Sequence, residues 1–566
     1  MLTAVAIAAD PALHSLFHES WTTLMMLSPT WATYLGIHDH DDRLDDMSIA
    51  GYRLMESTLL DFKRRAESFA GKKLNGADQT SLVIFRTSIE RRLRDLALRN
   101  YLMPLGQQLG VHIEFPQLPF SHPFNTVKDY ENYLKRLRAF PQQVQQVIAL
   151  CREGMAEGLV PPRFIVEQII PQLTASIVRD PEESPLHQAV TRMPATFSDA
   201  DIARLTSAIR TAIMDDVTPA FAALRAFIAD EYLPKARTDA GVWSIPNGAE
   251  RYAAALAHHT TTALTADEIH AIGLRELARI EAEMDLLRAK TGFTGGTEEF
   301  NAFLRTDARF YYTDADALEQ GFRTILNDIE PKLPTMFSKL PRTAFDLKRI
   351  ETFREASAPA AYYYPPNEDG SRPGYFFYNA YQLNARPKFT MEVLAYHEAV
   401  PGHHLQIALA QETAGLPEFR KHEDFTAYVE GWGLYSERLP KELGAYADPY
   451  SDYGRLTFDQ WRCLRLIVDT GIHHKRWTRD EAVAFMRSHS ALSETDIRSE
   501  VDRYIAWPGQ ACAYKIGQLK ILELRSMAEH AMGSRFDIKG FHDAILECGA
   551  VPLSVLEDRV VEWISG

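Results

Sequence analysis

The stretch that most restricts how this chain can fold is Tyr396-His397-Glu398-Ala399-Val400-Pro401-Gly402-His403-His404-Leu405-Gln406. Two imidazoles beside a carboxylate are donor types of a hydrolytic zinc centre, in which neutral nitrogens and one charged oxygen hold the ion and a further carboxylate acts as base. In the common His-Glu-x-x-His arrangement the histidines sit at i and i+4 on one helix face. Here Pro401 occupies i+4, and the next histidines fall at i+6 and i+7. On a regular helix, i and i+6 lie about 240° apart around the axis and i and i+7 about 10 Å apart along it, so neither pair could meet one ion at roughly 2.1 Å. The helix must therefore break. Pro401 removes an amide hydrogen and clashes with the carbonyl of His397, while Gly402 tolerates dihedrals closed to other residues. Read as a two-residue insertion, Pro401-Gly402 places His403 in the i+4 role; a three-residue insertion selects His404. His403 is the favoured ligand and His404 the alternate.

A third ligand is expected on a separate helix, and Glu430 in Thr426-Ala-Tyr-Val-Glu-Gly-Trp-Gly-Leu-Tyr-Ser-Glu437 is the best placed. Glu437, two turns further on the same face, either orients a ligand imidazole or makes a surface salt bridge. Glu398 fits as general base for the attacking water and then as proton donor to the leaving amine. Two histidines, one glutamate and an open position select Zn2+ over magnesium or calcium, which prefer all-oxygen shells. Thr390 can cap a helix that carries Leu394, His397 and Glu398 on one face.

Upstream, Tyr362-Tyr-Tyr-Pro-Pro-Asn-Glu-Asp-Gly-Ser-Arg-Pro373 reads as a loop and Gly374-Tyr-Phe-Phe-Tyr-Asn379 as a strand. Such a strand could be an exposed edge that pairs with an extended peptide, or an aromatic strand of the core.

A chain of 566 residues with 46% hydrophobic content exceeds the size at which one core stops growing, so two lobes are expected: a helical one over 1–240 and a catalytic one over 241–566. The boundary is placed where Pro, Asp, Gly and Asn collect around residues 234–248. The net charge of −15, without a long basic run, argues against nucleic acid or an anionic membrane as partner. Cys151, Cys463, Cys512 and Cys548 stand far apart, suggesting buried thiols rather than a disulfide frame or a cysteine-ligated metal. The run Met1–Asp10 lacks the basic region and length of a signal peptide, and no apolar stretch approaches the roughly 20 residues needed to span a bilayer, so a cytoplasmic location is expected. Nothing sets the oligomeric state.

Elsewhere the pattern is helical. Leu82, Phe85, Ile89, Leu93 and Leu96 form one stripe, and Tyr130, Leu134 and Leu137 another. The proline-bearing stretch 105–124 reads as a long loop. Thr265-Ala-Asp-Glu268 is a capping box that starts a helix with Ile269, Ile272, Leu277, Ile280, Met284 and Leu287 inside. Near the C-terminus, Ser493 opens a helix ending at Arg503, Pro508-Gly509 breaks it, and Tyr514 and Lys515 lie at the start of the next, where amide dipoles and a cation favour a negative group. Arg503 or Lys515 could bind a peptide carboxylate, and His473 is a candidate for contact with the transition state; for each, a structural hydrogen bond or a surface charge is the competing reading. Asp469-Thr470-Gly471 occurs once, without a second aspartate motif, which weighs against an aspartic protease.

The chain resembles, almost end to end, a bacterial family known only as a domain of unknown function and grouped with the gluzincin metallopeptidases. The resemblance rests on His-Glu-Ala-Val-Pro-Gly-His-His-Leu-Gln, Glu-Gly-Trp-Gly-Leu-Tyr-Ser-Glu, Val468-Asp-Thr-Gly-Ile-His473, Pro508-Gly-Gln-Ala-Cys-Ala-Tyr-Lys-Ile-Gly517 and Gly241-Val-Trp-Ser-Ile-Pro-Asn-Gly248. It implies a mostly α fold with a deep central channel, similar to angiotensin-converting enzyme and the helical oligopeptidases and carboxypeptidases. By the same resemblance, Tyr514 stabilises the oxyanion. The expected function is zinc-dependent hydrolysis of short peptides; the alternatives are a metal-dependent hydrolase of a non-peptide amide and a non-catalytic peptide-binding protein.

Overall fold

A computed structural model describes residues 8–350, 352, 355, 358–367 and 372–566. The protein is mostly helical, with one small three-stranded sheet. The apolar start Met1–Ile7 and the loop positions Glu368–Ser371 lie outside the described residues. The chain divides into two compact units, Met1–Gly248 with Pro417–Phe419, and Ala249–Leu416 with Arg420–Gly566.

In the first unit the spine is the helix Val127–Ala156, started by a capping box in which Thr126 and Asp129 satisfy each other's amides. Its inner face, with Tyr130, Tyr133, Leu137, Phe140, Val144 and Val147, is wholly buried. Each such side chain contributes roughly 1.5–3 kcal/mol by leaving water. On the helix Gly76–Ala97, Leu82, Phe85 and Ile89 are buried while Leu93 and Leu96 are half-buried. The stretch expected as a long loop is instead built of short turns, Val111–Glu114, Phe115–Gln117 and Leu118–Ser121. Pro116 and Pro119 stand in the first turn of two of them, where a missing amide hydrogen costs nothing because it would be unpaired anyway.

In the second unit the capping box of Thr265 and Glu268 starts the helix Ala266–Lys290. That helix lies along the long helix Pro449–His473, so close that a Cβ on Gly273 would fall 2.7 Å from the side chain of Ile467. The sheet consists of β1 (Phe345–Arg349), β2 (Ala361–Tyr364) and β3 (Gly374–Tyr378), in the order β1-β3-β2. β1 runs parallel to β3 and β2 antiparallel to it. This changes one expectation and decides between two alternatives for another. Tyr362–Tyr364 belong to a strand rather than a loop, because alternate aromatic side chains pair across it: Tyr362 stacks on Phe377 at 4.8 Å. β3 is the central strand, with both edges already bonded and Phe376, Phe377 and Tyr378 buried, so its backbone is not open to a peptide.

All four cysteines are buried free thiols. No described helix is long and apolar enough to cross a membrane.

Candidate metal centre

The helix carrying His397 spans Met391–Glu398 and stops there. It is entered through a 3-10 turn, Lys388–Thr390, and the Thr390 hydroxyl bonds the Pro387 carbonyl at 3.0 Å instead of capping the helix. Ala399 adopts φ −100°, ψ −106°, Gly402 adopts φ −82°, ψ −129°, and a second helix begins at His403 and runs to Glu412. The motif is thus two helices joined by a break rather than one distorted helix. Glycine is required at 402 by space, since a Cβ there would lie 1.9 Å from the His397 carbonyl oxygen.

The Glu430 helix, Thr426–Ser436, clasps this break. Trp432 Nε1 donates to the Pro401 carbonyl at 3.0 Å, and Ser436 Oγ donates to the Tyr396 carbonyl at 3.3 Å. The two glycines beside Trp432 are explained by contact. A Cβ on Gly433 would meet the His397 imidazole at 2.7 Å, and one on Gly431 would meet Gly517, on the helix Ala513–Met532, at 2.6 Å. Helices approach this closely only where side chains are absent.

The outcome is one cluster. His397, His403 and Glu430 each place a ligand atom within 4.8 Å of the others. Glu430 Oε2 lies 3.6 Å from His397 Nε2 and 3.5 Å from His403 Nε2. These separations are too long for good hydrogen bonds, and Glu430 Oε2 is buried without a hydrogen-bond partner. Three donors held by bonds near 2.1 Å at tetrahedral angles would stand roughly 3.4 Å apart, so the spacing and the donor types fit a zinc-sized ion.

Around the cluster the supporting groups are in place. Glu437, buried, accepts from His397 Nδ1 at 2.8 Å, which turns Nε2 toward Glu430. Burial would depress the pKa of His397, but the Glu430 and Glu437 carboxylates, with the charge of Glu398, raise it to about 10. Burial likewise opposes ionisation of Glu430, yet His397 and His403 hold it well below the usual carboxylate value. Glu398 is 8% exposed, and none of the described residues bonds or ion-pairs with its carboxylate.

His404 turns the other way. Tyr363 Oη donates to its Nδ1 at 2.8 Å and its Nε2 donates to the Thr343 carbonyl at 3.1 Å, tying the His403 helix to β2 and to the approach to β1. Burial lowers its pKa to about 4, so it stays neutral.

The downstream candidates separate. Arg503, at the end of the helix Glu494–Ala506, donates through Nη2 to Tyr514 Oη at 3.1 Å and to Gln510 Oε1 at 2.7 Å. Lys515 is a correction: it is fully buried, bonded to Asp459 at 2.7 Å and Gln518 at 2.8 Å with Glu276 at 3.6 Å, so its charge is spent inside the fold. His473 is another: its Nε2 donates to the Tyr504 carbonyl at 3.0 Å and its ring lies against Tyr252, outside the metal cluster. Asp469 accepts from Tyr252 Oη at 2.6 Å and from the Gly509 amide at 3.1 Å. Burial pushes its pKa up to about 7 despite these bonds.

A family model described as "Bacterial protein of unknown function (DUF885)" matches residues 29–560. The chain belongs to this family. A solved structure described as "the putative lipoprotein from Colwellia psychrerythraea" is similar to it with 30% identity and a TM-score of 0.92 over 98% of each chain. A second, "a putative lipoprotein of unknown function from Shewanella oneidensis", shares the fold at 19% identity and a TM-score of 0.76, over 98% of this chain and all of that one. Among curated proteins no match is found.

Two residues beside the site carried a signal that sequence reasoning passed over. Arg462 and Arg465 stand three apart on the long helix Pro449–His473, amid apolar neighbours, and both are buried. Arg462 Nη2 lies 3.7 Å from Glu437, and Arg465 Nη2 donates to Glu500 at 3.0 Å. Guanidinium groups inside a helix core mark a polar neighbour. The Arg462 carbon sits 5.9 Å and the Arg465 carbon 4.3 Å from the centre of the Tyr514 ring. A continuous set of contacts therefore joins His397, Glu437, Arg462, Tyr514 and Arg503.

Proposed function

We propose that this protein is a zinc-dependent metallopeptidase of the gluzincin type that hydrolyses short peptides. The observation that carries the reading is the orphaned Glu430 Oε2 set 3.5–3.6 Å from two imidazole nitrogens, with the unpaired carboxylate of Glu398 on the residue next to His397. His397, His403 and Glu430 would hold the metal. When bound, zinc supplies Lewis acidity that polarises the scissile carbonyl and makes a water acidic enough to attack at neutral pH. Glu398 takes the proton of that water and passes it to the leaving amine. Glu437 keeps His397 in the tautomer that leaves Nε2 free. Tyr514 Oη accepts from Arg503, so its own proton remains to be donated to the oxyanion.

A base with no partner beside a ligand histidine is of no use to a protein that only captures peptides. Hydrolysis of a non-peptide amide would employ the same groups, and a parallel screen of short peptides and small amides separates the two. The two-lobed peptidase fold with a deep channel belongs to this reading as well. So does location: the relative from Colwellia psychrerythraea is described as a "putative lipoprotein", which supports a place at a membrane surface or outside the cytoplasm instead of the cytoplasmic one expected from the N-terminal stretch and the lack of a long apolar run. Fractionation of cells would decide it, and recovery in the soluble cytosol alone would restore the earlier expectation.

The deciding experiment is elemental analysis with a Glu398→Gln variant. Zinc near one per chain and a loss of about 10²–10⁴-fold in peptide turnover, with zinc retained, is the expected result. Unchanged turnover in that variant sinks the mechanism.

A further inference from the structure

The surroundings of Tyr514 hold more guanidinium groups than carboxylates within ion-pair distance of them. Three guanidinium groups, Arg462, Arg465 and Arg503, gather at its ring, with carbons 5.9, 4.3 and 6.0 Å from the ring centre. Among the described residues only Glu437 and Glu500 pair with them: Glu437 with Arg462 at 3.7 Å, Glu500 with Arg465 at 3.0 Å and with Arg503 at 3.5 Å. Glu437 is shared with His397. At ion-pair distance that is two carboxylates for three buried guanidinium groups, with Glu430 acting on Arg462 from further off, and a buried ion short of partners is costly.

The hydrogen-bond inventory agrees. Arg462 Nε and Nη1 and Arg465 Nη1 are buried with no partner, on side chains only 5% and 3% exposed. The faces of Phe458 and Trp461 lie 4.7 and 4.8 Å from Arg462, and that of Trp461 lies 4.6 Å from Arg465. Cation–π contacts steady these groups but supply no acceptor oxygen. Buried guanidinium N–H groups without acceptors, in a cluster short of carboxylates, are suited to a carboxylate, whose two oxygens match the planar fork. Arg503 gives the route in, because 17% of its side chain is exposed. The cluster touches the metal centre through Glu437, so an anion bound here would be one end of a molecule whose reacting bond lies at the metal.

We propose that Arg465 and Arg503, aligned by Tyr514 and backed by Arg462, bind a free carboxylate of the peptide substrate, and that the carboxylate is the C-terminal one. These arginines determine specificity rather than perform chemistry. The inference rests on the peptidase reading, and its substrate class is the peptide with an open C-terminus.

The test uses the zinc-loaded full-length protein and three versions of one short peptide: the free acid, the C-terminal amide, and an amide carrying a glutamate as its last residue. The expected result is a preference for the free acid of about 10- to 100-fold in kcat/KM, the size of a charge-assisted pair. In Arg503→Gln the preference should collapse, mainly through KM, while Arg503→Lys recovers part of it. Equal hydrolysis of acid and amide overturns the inference and leaves the peptidase reading standing. Preference for the glutamyl amide assigns the site to a side-chain carboxylate and overturns the C-terminal assignment. Selective binding of the free acid by calorimetry without hydrolysis supports the carboxylate site and removes the peptidase reading. Neither binding nor hydrolysis removes both. The comparison among peptides uses the unmodified protein, so a variant that misfolds does not undermine it.

Discussion

Glu430 and Asp469 are both buried carboxylates in the same unit, and their surroundings are opposites. Glu430 has two imidazoles at 3.5–3.6 Å and an oxygen with no hydrogen bond. Asp469 is fully buried, with both oxygens accepting from neutral donors, Tyr252 and the Gly509 amide. The first is ionised but geometrically unfinished; the second is complete and needs no counter-ion. A buried acid that folding has finished holds structure together, whereas one left incomplete at ligand spacing marks where something else binds.

Breaking the unfinished side should have the largest effect. Glu430→Gln is expected to lower zinc affinity by about 10³-fold or more, since it removes the one charged ligand, whereas Asp469→Asn should keep its zinc. Both are read by competition with a chelator. Equal zinc retention in the two variants would erase the distinction.

Next comes the finished side. The pKa of Asp469 in the folded protein, about 7, lies above its ordinary 3.8, so the native state binds the extra proton. Stability is full below about pH 4, falls as pH rises through about 7, and is lower by about 4 kcal/mol beyond it. Asp469→Asn should flatten that descent in urea unfolding carried out across pH 4–8. An unaltered slope would show that Asp469 is not the titrating group.

A smaller effect sharpens the unfinished side. Glu437→Gln should weaken zinc by about 10–100-fold, because the imidazole keeps its place but loses its charged anchor. An affinity equal to the unmodified protein's would mean that the 2.8 Å bond to His397 does not tune the ligand. Smallest is His404→Ala. Zinc should stay, and thermal unfolding should show a loss of about 1–3 kcal/mol from the abandoned Tyr363 and Thr343 partners. Loss of zinc in that variant would exchange the roles of the two histidines.

Much of the site was legible along the chain because its logic is local. Pro401 and Gly402 forbid a continuous helix between the histidines, and the structure breaks there. The capping box at Thr265 and the apolar stripes announced helices, since those signals depend on neighbours three and four residues away. The donor types at His397, Glu398 and Glu430 were likewise visible as residues.

What the chain alone left open were directions in space. His403 and His404 are adjacent, and only the clasp of Trp432 on the break, with Tyr363 and Thr343 waiting on the other side, sends one to Glu430 and the other to the sheet. Lys515 and Arg503 were equally plausible cations, yet Asp459 neutralises the first, while the second reaches Tyr514. Whether β3 was an edge or a core strand stayed open until β1 and β2 paired with its two sides. Sequence by itself determined a mostly helical chain, the break in its His-Glu motif and the donor types on offer there, because backbone propensity and side-chain type act over a few residues. Tertiary structure decided which histidine, which cation and which strand edge are available, because a side chain's partner is set by elements that meet only when the chain has packed.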